Sequence, residues 1–364
     1  MSGRRIAQVL GTSAGGIGTH VASATRELLA RGDRVTVYGP AATNDRFGFR
    51  DTGARFVPIE IPTAAEPVAH ARAVAVLRKT LVGASGAKPD VVHAHGLRAG
   101  LTSVASKGSG VPLVVSWHVD HSSSTSKMVN AAKKSVARCA EVSLCTDKNQ
   151  MQHMYTLGGK DVRYAPIAAP ALPKPRKDAD AVKHDLGVDG PLVLAVGRLH
   201  EVKRFDVLMD AAEILAHREN APTVVIAGDG PLGGQLEART RGCAADVRLL
   251  GHRTDIAELL TAADVAVVTS DSETRQFFAQ EALFAGTPLV ATRVGGIPDL
   301  VQDAAVLVEP GDSNGVADAI TRVLTQETLR DELAEAAKKQ TASWPTETDT
   351  IDHLDALYRE LTGR

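Results

Sequence analysis

Two doubly wound α/β domains in tandem are the fold class this sequence predicts, on three observations. Short apolar runs alternate with amphipathic segments of helical length along nearly the whole chain, as parallel βαβ units require. The alternation halts once, at APIAAPALPKPRK (165–177), which carries four prolines and no helical period, and then restarts. With 364 residues, 44% of them hydrophobic, the chain exceeds the needs of one such domain and has ample core-forming residues.

In the first half, RIAQVL (5–10) reads as a buried strand. Residues 17–31 read as a helix closed by Gly32, and RVTVYGP follows as a second strand. DVVHAH (90–95), PLVVSWH (112–118) and EVSLCT (141–146) supply three more strands. The second half repeats the scheme with PLVLAVG (191–197), PTVVIAG (222–228), VRLLG (247–251), VAVVTS (265–270) and PLVAT (288–292). Helices are expected at 205–216, 255–262, 276–285 and 313–325, and a last one at 346–361, just after Trp344-Pro345. The expected division is a domain over 1–170, a domain over 171–345, and a terminal segment 346–364 returning to the first. Parallel sheets bind ligands at the C-terminal ends of their strands, so a cleft between the domains is the expected site.

Composition narrows the function. Aromatic residues make up 4%, too few for a surface that stacks single-stranded nucleic acid. Cys139, Cys145 and Cys243 have no CxxC spacing and read as reduced thiols, with neither disulfide framework nor zinc site. The N-terminal apolar run meets glycine too early for a signal peptide, and no stretch of about 18 apolar residues occurs. The expectation is a cytoplasmic protein. Net charge is −2 but unevenly placed, with 21 basic against 11 acidic residues over 1–172. That asymmetry fits either an anionic partner at the first half or two domains that attract each other.

Four motifs carry polar chemistry. GTSAGGIGTHV (11–21) joins a strand to a helix; Gly15, Gly16 and Gly18 allow close backbone approach, and the helix start favours an anion. Its spacing is not GxGxxG, and the second strand ends Tyr38-Gly39-Pro40 with no acidic residue for a ribose, so an NAD-dependent dehydrogenase fits poorly. In VGRLHEVKRFDVLMDA (196–211), Arg198 and Lys203 follow a buried strand. They suit a diphosphate, or else decorate a solvated loop.

In DSETRQFFAQEALFAGTPLVAT (271–292), Glu273 and Glu281 stand eight residues apart. On a continuous helix that is ~12 Å and about 80° beyond two turns, so both could address one extended ligand. Backbone N–H groups near Gln276, Phe277 and Phe278 would meet negative charge between them. The alternative is a pair of surface glutamates. Finally, His93, His95, His118 and His121 cluster in sequence without a third ligand at metal-site spacing; they read as polar groups at strand ends facing the cleft rather than a metal site.

Together these residues resemble the retaining glycosyltransferases of family four, which have the GT-B fold and use nucleotide sugars. GRLHEVK is similar to that family's GRLxxxK, IAGDGP to its glycine turn, VATRVGGIPDLV to the segment after its paired glutamates, and Glu273 and Glu281 to its E-x7-E. GGIGTHV, DVVHAHG and His118 match in the first half. The resemblance implies that Arg198 and Lys203 hold a donor diphosphate, Glu281 the ribose, and Glu273 the sugar. It places His118 by the sugar ring and Gly15 to Gly18 against the phosphates. It implies a UDP- or GDP-linked hexosyl donor, no cofactor, no metal, and transfer with retention. The acceptor is expected to be anionic or lipid-linked, with peripheral contact at the inner membrane face through Lys127, Lys133, Lys134 and Arg138 on one helix. Two departures stand out: Thr274-Arg275-Gln276 where the family often has Ser-Phe-Gly, and Arg204 where it often has Gly. Arg275 either meets an acidic sugar or faces solvent. A nucleotide-sugar epimerase of the same fold and an inactive nucleotide-binding module are the rival readings.

Overall fold

In the computed structural model, which describes residues 3–13, 15–62, 66–82, 88–107, 110–118 and 126–364, the apolar runs of the first half form seven parallel strands. They are Arg5–Leu10 (β1), Arg34–Gly39 (β2), Arg55–Pro58 (β3), Val91–His95 (β4), Leu113–Trp117 (β5), Val142–Cys145 (β6) and Val162–Tyr164 (β7). Their order is β3-β2-β1-β4-β5-β6-β7. The second half forms Leu192–Val196 (β8), Thr223–Ala227 (β9), Val247–Gly251 (β10), Val265–Val268 (β11), Leu289–Thr292 (β12) and Ala305–Val308 (β13), in the order β10-β9-β8-β11-β12-β13. Both orders are doubly wound, with the switch of direction at β1/β4 in one sheet and β8/β11 in the other. The predicted α/β class is therefore the observed one.

Three strands escape the sequence pattern: β3, β7 and β13. Each has three or four residues and stands at a sheet edge, where a long apolar run is not needed.

The chain divides into two units, Met1–Pro170 with Pro345–Arg364, and Ala171–Trp344. In the first, the sheet separates two apolar layers. One packs Leu77, Trp117 and Val136. The other packs Ile6, Leu10 and Leu28 against Ile351, Leu354, Leu357 and Tyr358 of the terminal helix Glu347–Thr362. That helix starts at a capping box, Thr346 with Asp349, directly after Pro345. Arg4 links Asp33 (2.7 Å) to Asp355 of the helix, and Arg163 pairs with Glu360 at 2.7 Å. The second unit has its own two layers, one around Leu208 and Ile320, the other around Leu194, Leu260 and Ala282.

One expectation needs correction. In helix Lys127–Cys139, Lys133 is fully buried, so the exposed basic face is Lys127, Lys134 and Arg138 only. Residue 133 lies three before Val136 on the side that enters the core.

Candidate functional site

In the second unit the candidate residues gather at the switch point. β8 ends at Val196, and the chain turns through exposed Arg198 and buried Leu199 into a short 3-10 turn, Glu201–Lys203. The glycine turn after β9 holds this loop. A Cβ on Gly228 would come within 1.9 Å of the Gly197 carbonyl oxygen, while the Leu199 N–H donates to the Asp229 carbonyl at 2.8 Å. Arg204 then adopts φ 47, in the left-handed region that favours glycine. Its guanidinium spans Asp206 and Asp271, at 3.0 Å from each, which offsets the backbone cost.

β11 delivers Glu273. Its Oε1 lies 2.5 Å from Lys203 Nζ and accepts from Ser270 Oγ at 2.6 Å, and both ions are largely buried. Thr269 Oγ1 donates to the Lys203 carbonyl at 2.9 Å, tying the two loops together. The Glu273 carbonyl accepts from the Gly296 N–H at 3.0 Å. Gly295 sits at φ 49, and a Cβ there would come 1.9 Å from that carbonyl oxygen. The glycine pair in VGGIPD is thus a backbone clamp on Glu273.

Gln276 precedes helix Phe277–Ala285, which has no side-chain N-cap. Phe278 packs its ring in the core, leaving its backbone N–H as the polar group of that position, while Phe277 stays half-buried. The Arg275 guanidinium lies 5.4 Å from the Trp344 ring, and Trp344 meets Phe284 edge-on at 5.3 Å. Glu281 projects from the same helix. It is half-buried and has no hydrogen-bond or ion-pair partner among the described residues, and burial pushes its carboxyl up to about 7.

In the first unit, Gly15 and Gly16 are exposed at the start of helix Gly16–Ala30, which also lacks a side-chain cap. Gly18 is different. It is buried, and a Cβ there would come 2.2 Å from the Phe47 ring, so this glycine serves packing. His118 follows β5 and stacks on His95 with ring centres 5.2 Å apart. His93 and His95 do not open toward a ligand as strand-end groups; they are buried inside the unit. His20 joins them, 5.9 Å from both His95 and His118. Burial lowers His20 to about 4 and His93 to about 3, and holds His95 and His118 well below the usual imidazole value. All four are neutral at pH 7. His121 lies outside the described residues.

Sequence reasoning did not single out His20, Gln8, Ser270 or Tyr358. Gln8 had a legible signal: a polar side chain in the middle of the apolar strand RIAQVL. Among the described residues no group of three or more His, Cys, Asp or Glu could hold a metal, and no helix is long and apolar enough to cross a membrane.

Two family models match, a glycosyl transferase 4-like domain over residues 15–170 and glycosyl transferases group 1 over residues 190–326. The chain is 30% identical over 315 residues to the alpha-D-kanosaminyltransferase of Streptomyces kanamyceticus, covering 78% of this chain and 80% of that protein. It is also 30% identical over 393 residues to the D-inositol 3-phosphate glycosyltransferase of Acidothermus cellulolyticus, covering 95% and 86%. Among solved structures, Anabaena HepE in complex with UDP-glucose superposes with a TM-score of 0.83 at 19% identity, over 98% of this chain and 100% of that one. Sucrose-phosphate synthase from Thermosynechococcus elongatus gives 0.81 at 18% identity, over 99% of each. At such identities the superpositions establish the fold, the two-domain Rossmann-like GT-B architecture. The relatives at 30% identity, together with the two family models, show that this chain belongs to the GT-B glycosyltransferases.

Proposed function

We propose that this glycosyltransferase takes a hexosyl group from a UDP- or GDP-linked donor and transfers it with retention of anomeric configuration. The observation that carries the proposal is Glu281. A half-buried carboxyl pushed up to about 7, with no partner among the described residues, is costly in the free protein. Two hydroxyls of a ribose would satisfy it. The HepE structure was solved with UDP-glucose, which supports a nucleotide-sugar donor for a chain of the same fold.

The remaining roles follow from charge. Arg198 and Lys203 hold the diphosphate, with the uncapped N-terminus of helix Phe277–Ala285 at Gln276 adding backbone donors. Glu273 orients the sugar. In the first unit, Gly15 and Gly16 lie against phosphate and His118 meets a sugar or acceptor hydroxyl. The bond from the anomeric carbon to the β-phosphate oxygen breaks while the acceptor oxygen bonds to that carbon on the same face. The acceptor proton passes to the leaving phosphate. Charge growing on that phosphate is met by groups already oriented, without solvent reorganisation and without a metal. The basic first half, including Lys127, Lys134 and Arg138, favours an anionic acceptor.

A thermal-shift screen over UDP, GDP, ADP and their sugars tests the donor. A ligand at a hundredfold excess over its Kd stabilises by about 2.7 kcal/mol. NMR of the product then reads the anomer. No shift with any nucleotide, or inversion at the anomeric carbon, refutes the proposal.

A further inference from the structure

Six polar side chains of the first unit form one hydrogen-bonded line. Ser116 Oγ lies 2.7 Å from His93 Nε2, and His93 Nδ1 lies 2.5 Å from the Tyr358 hydroxyl. That hydroxyl is 3.3 Å from Gln8 Nε2; Gln8 Oε1 is 2.7 Å from His95 Nε2, and His95 Nδ1 is 3.0 Å from His118 Nε2. All but His118 are buried. The line joins the terminal helix, through Tyr358, to the end of β5. A buried polar line is stable only when every member is satisfied, and an apolar core would avoid that demand.

The line has a direction. Gln8 Oε1 only accepts, so His95 carries its proton on Nε2. Burial keeps the imidazoles neutral, so His95 Nδ1 is an acceptor and the proton of the next bond belongs to His118 Nε2. At the other end Gln8 Nε2 only donates. The Tyr358 hydroxyl therefore accepts from it and gives its own proton to His93 Nδ1, and His93 Nε2–H donates to Ser116.

We infer that Gln8 and Tyr358 are positioning residues that fix His118 as the neutral tautomer with its proton on Nε2 and its lone pair on Nδ1. The consequence for turnover rests on the role proposed above for His118; the tautomer does not.

Long-range 1H–15N spectra of the intact chain, labelled at histidine, distinguish the two neutral tautomers. At pH 7 His118 should show a single Nε2–H pattern. In Gln8→Leu and Tyr358→Phe the Nδ1–H form should grow in. The same variants should lower kcat about threefold to tenfold, the loss of one neutral hydrogen bond, with donor KM within about twofold. That effect should vanish in a His118→Ala background. An Nδ1–H pattern at His118 in the wild type overturns the inference without any variant, so a poorly folding variant cannot shield it. An unchanged Nε2–H pattern in both folded variants overturns it as well. Full turnover by His118→Ala would instead remove the catalytic role of His118 and leave the tautomer result standing.

Discussion

Lys203 Nζ and Glu273 Oε1 lie 2.5 Å apart, although 70 residues separate them in sequence. The proposed diphosphate cation and the proposed sugar-binding carboxylate are therefore delivered to one point by the loops after β8 and β11. Without ligand each neutralises the other. A donor would exchange this contact for phosphate on one side and sugar hydroxyls on the other.

The first prediction separates the two cations. Lys203→Ala and Arg198→Ala should each lower kcat/KM by about 10²–10³, the usual loss when a charge-stabilising donor is removed. Their stabilities should differ. Lys203→Ala strands a largely buried Glu273 and should cost about 1–3 kcal/mol. Arg198 is exposed with no ion pair among the described residues, so Arg198→Ala should stay within about 0.5 kcal/mol. Denaturant midpoints beside steady-state kinetics check both; equal stability losses would contradict the geometry.

Glu281 predicts a pH dependence. Its carboxyl is raised from 4.5 to about 7 in the folded chain. Relative to the unfolded state, folding therefore holds the proton more tightly. Stability is fully present below pH 4.5 and falls as pH rises through 7. Between pH 5 and 8 this group should cost the wild type about 2–3 kcal/mol, and Glu281→Gln should remove that loss. Donor binding needs the ionised carboxylate, so it should tighten over the same range and release protons. Parallel stability curves for the two proteins would show that Glu281 is not desolvated.

The glycine clamp predicts a backbone effect. Gly295→Ala must place a Cβ against the Glu273 carbonyl at φ 49 and should cost about 2–4 kcal/mol. Activity should fall further than stability, because Glu273 is displaced. Gly190→Ala is the control, since nothing lies within 4 Å of its added Cβ. Similar losses in the two variants would contradict the clamp.

Metal independence follows from the proposed charge balance. Turnover should survive EDTA, because Arg198, Lys203 and the helix start supply the positive charge. Complete loss, restored by Mg²⁺ or Mn²⁺, would sink this account of leaving-group stabilisation.

Much of this was legible in the sequence, for identifiable reasons. A buried parallel strand needs an unbroken apolar run, so β1, β8 and β11 could be read directly, whereas three-residue β7 at a sheet edge could not. The spacing of Glu273 and Glu281 named both carboxylates. It could not reveal that one is paired with Lys203 and the other has no partner among the described residues, because pairing depends on loops folded from distant segments. Arg204 looked like a departure, and its reason lies in Asp206 and Asp271, which only the folded loop brings to it. The hydrogen-bonded line through Gln8 and Tyr358 spans 350 residues of sequence and leaves no local signature beyond one polar residue in an apolar strand.

The most direct test of the central claim is a donor whose nucleotide ribose lacks its 2′-hydroxyl. Against the wild type it should lose a charge-assisted hydrogen bond, about 1.5–3 kcal/mol in kcat/KM. Against Glu281→Ala the penalty should largely vanish, because the partner is already gone, while Glu273→Ala should keep it in full. An equal deoxy penalty in the wild type and Glu281→Ala would contradict the assignment of Glu281 to the ribose, and with it the placement of the donor in the second unit.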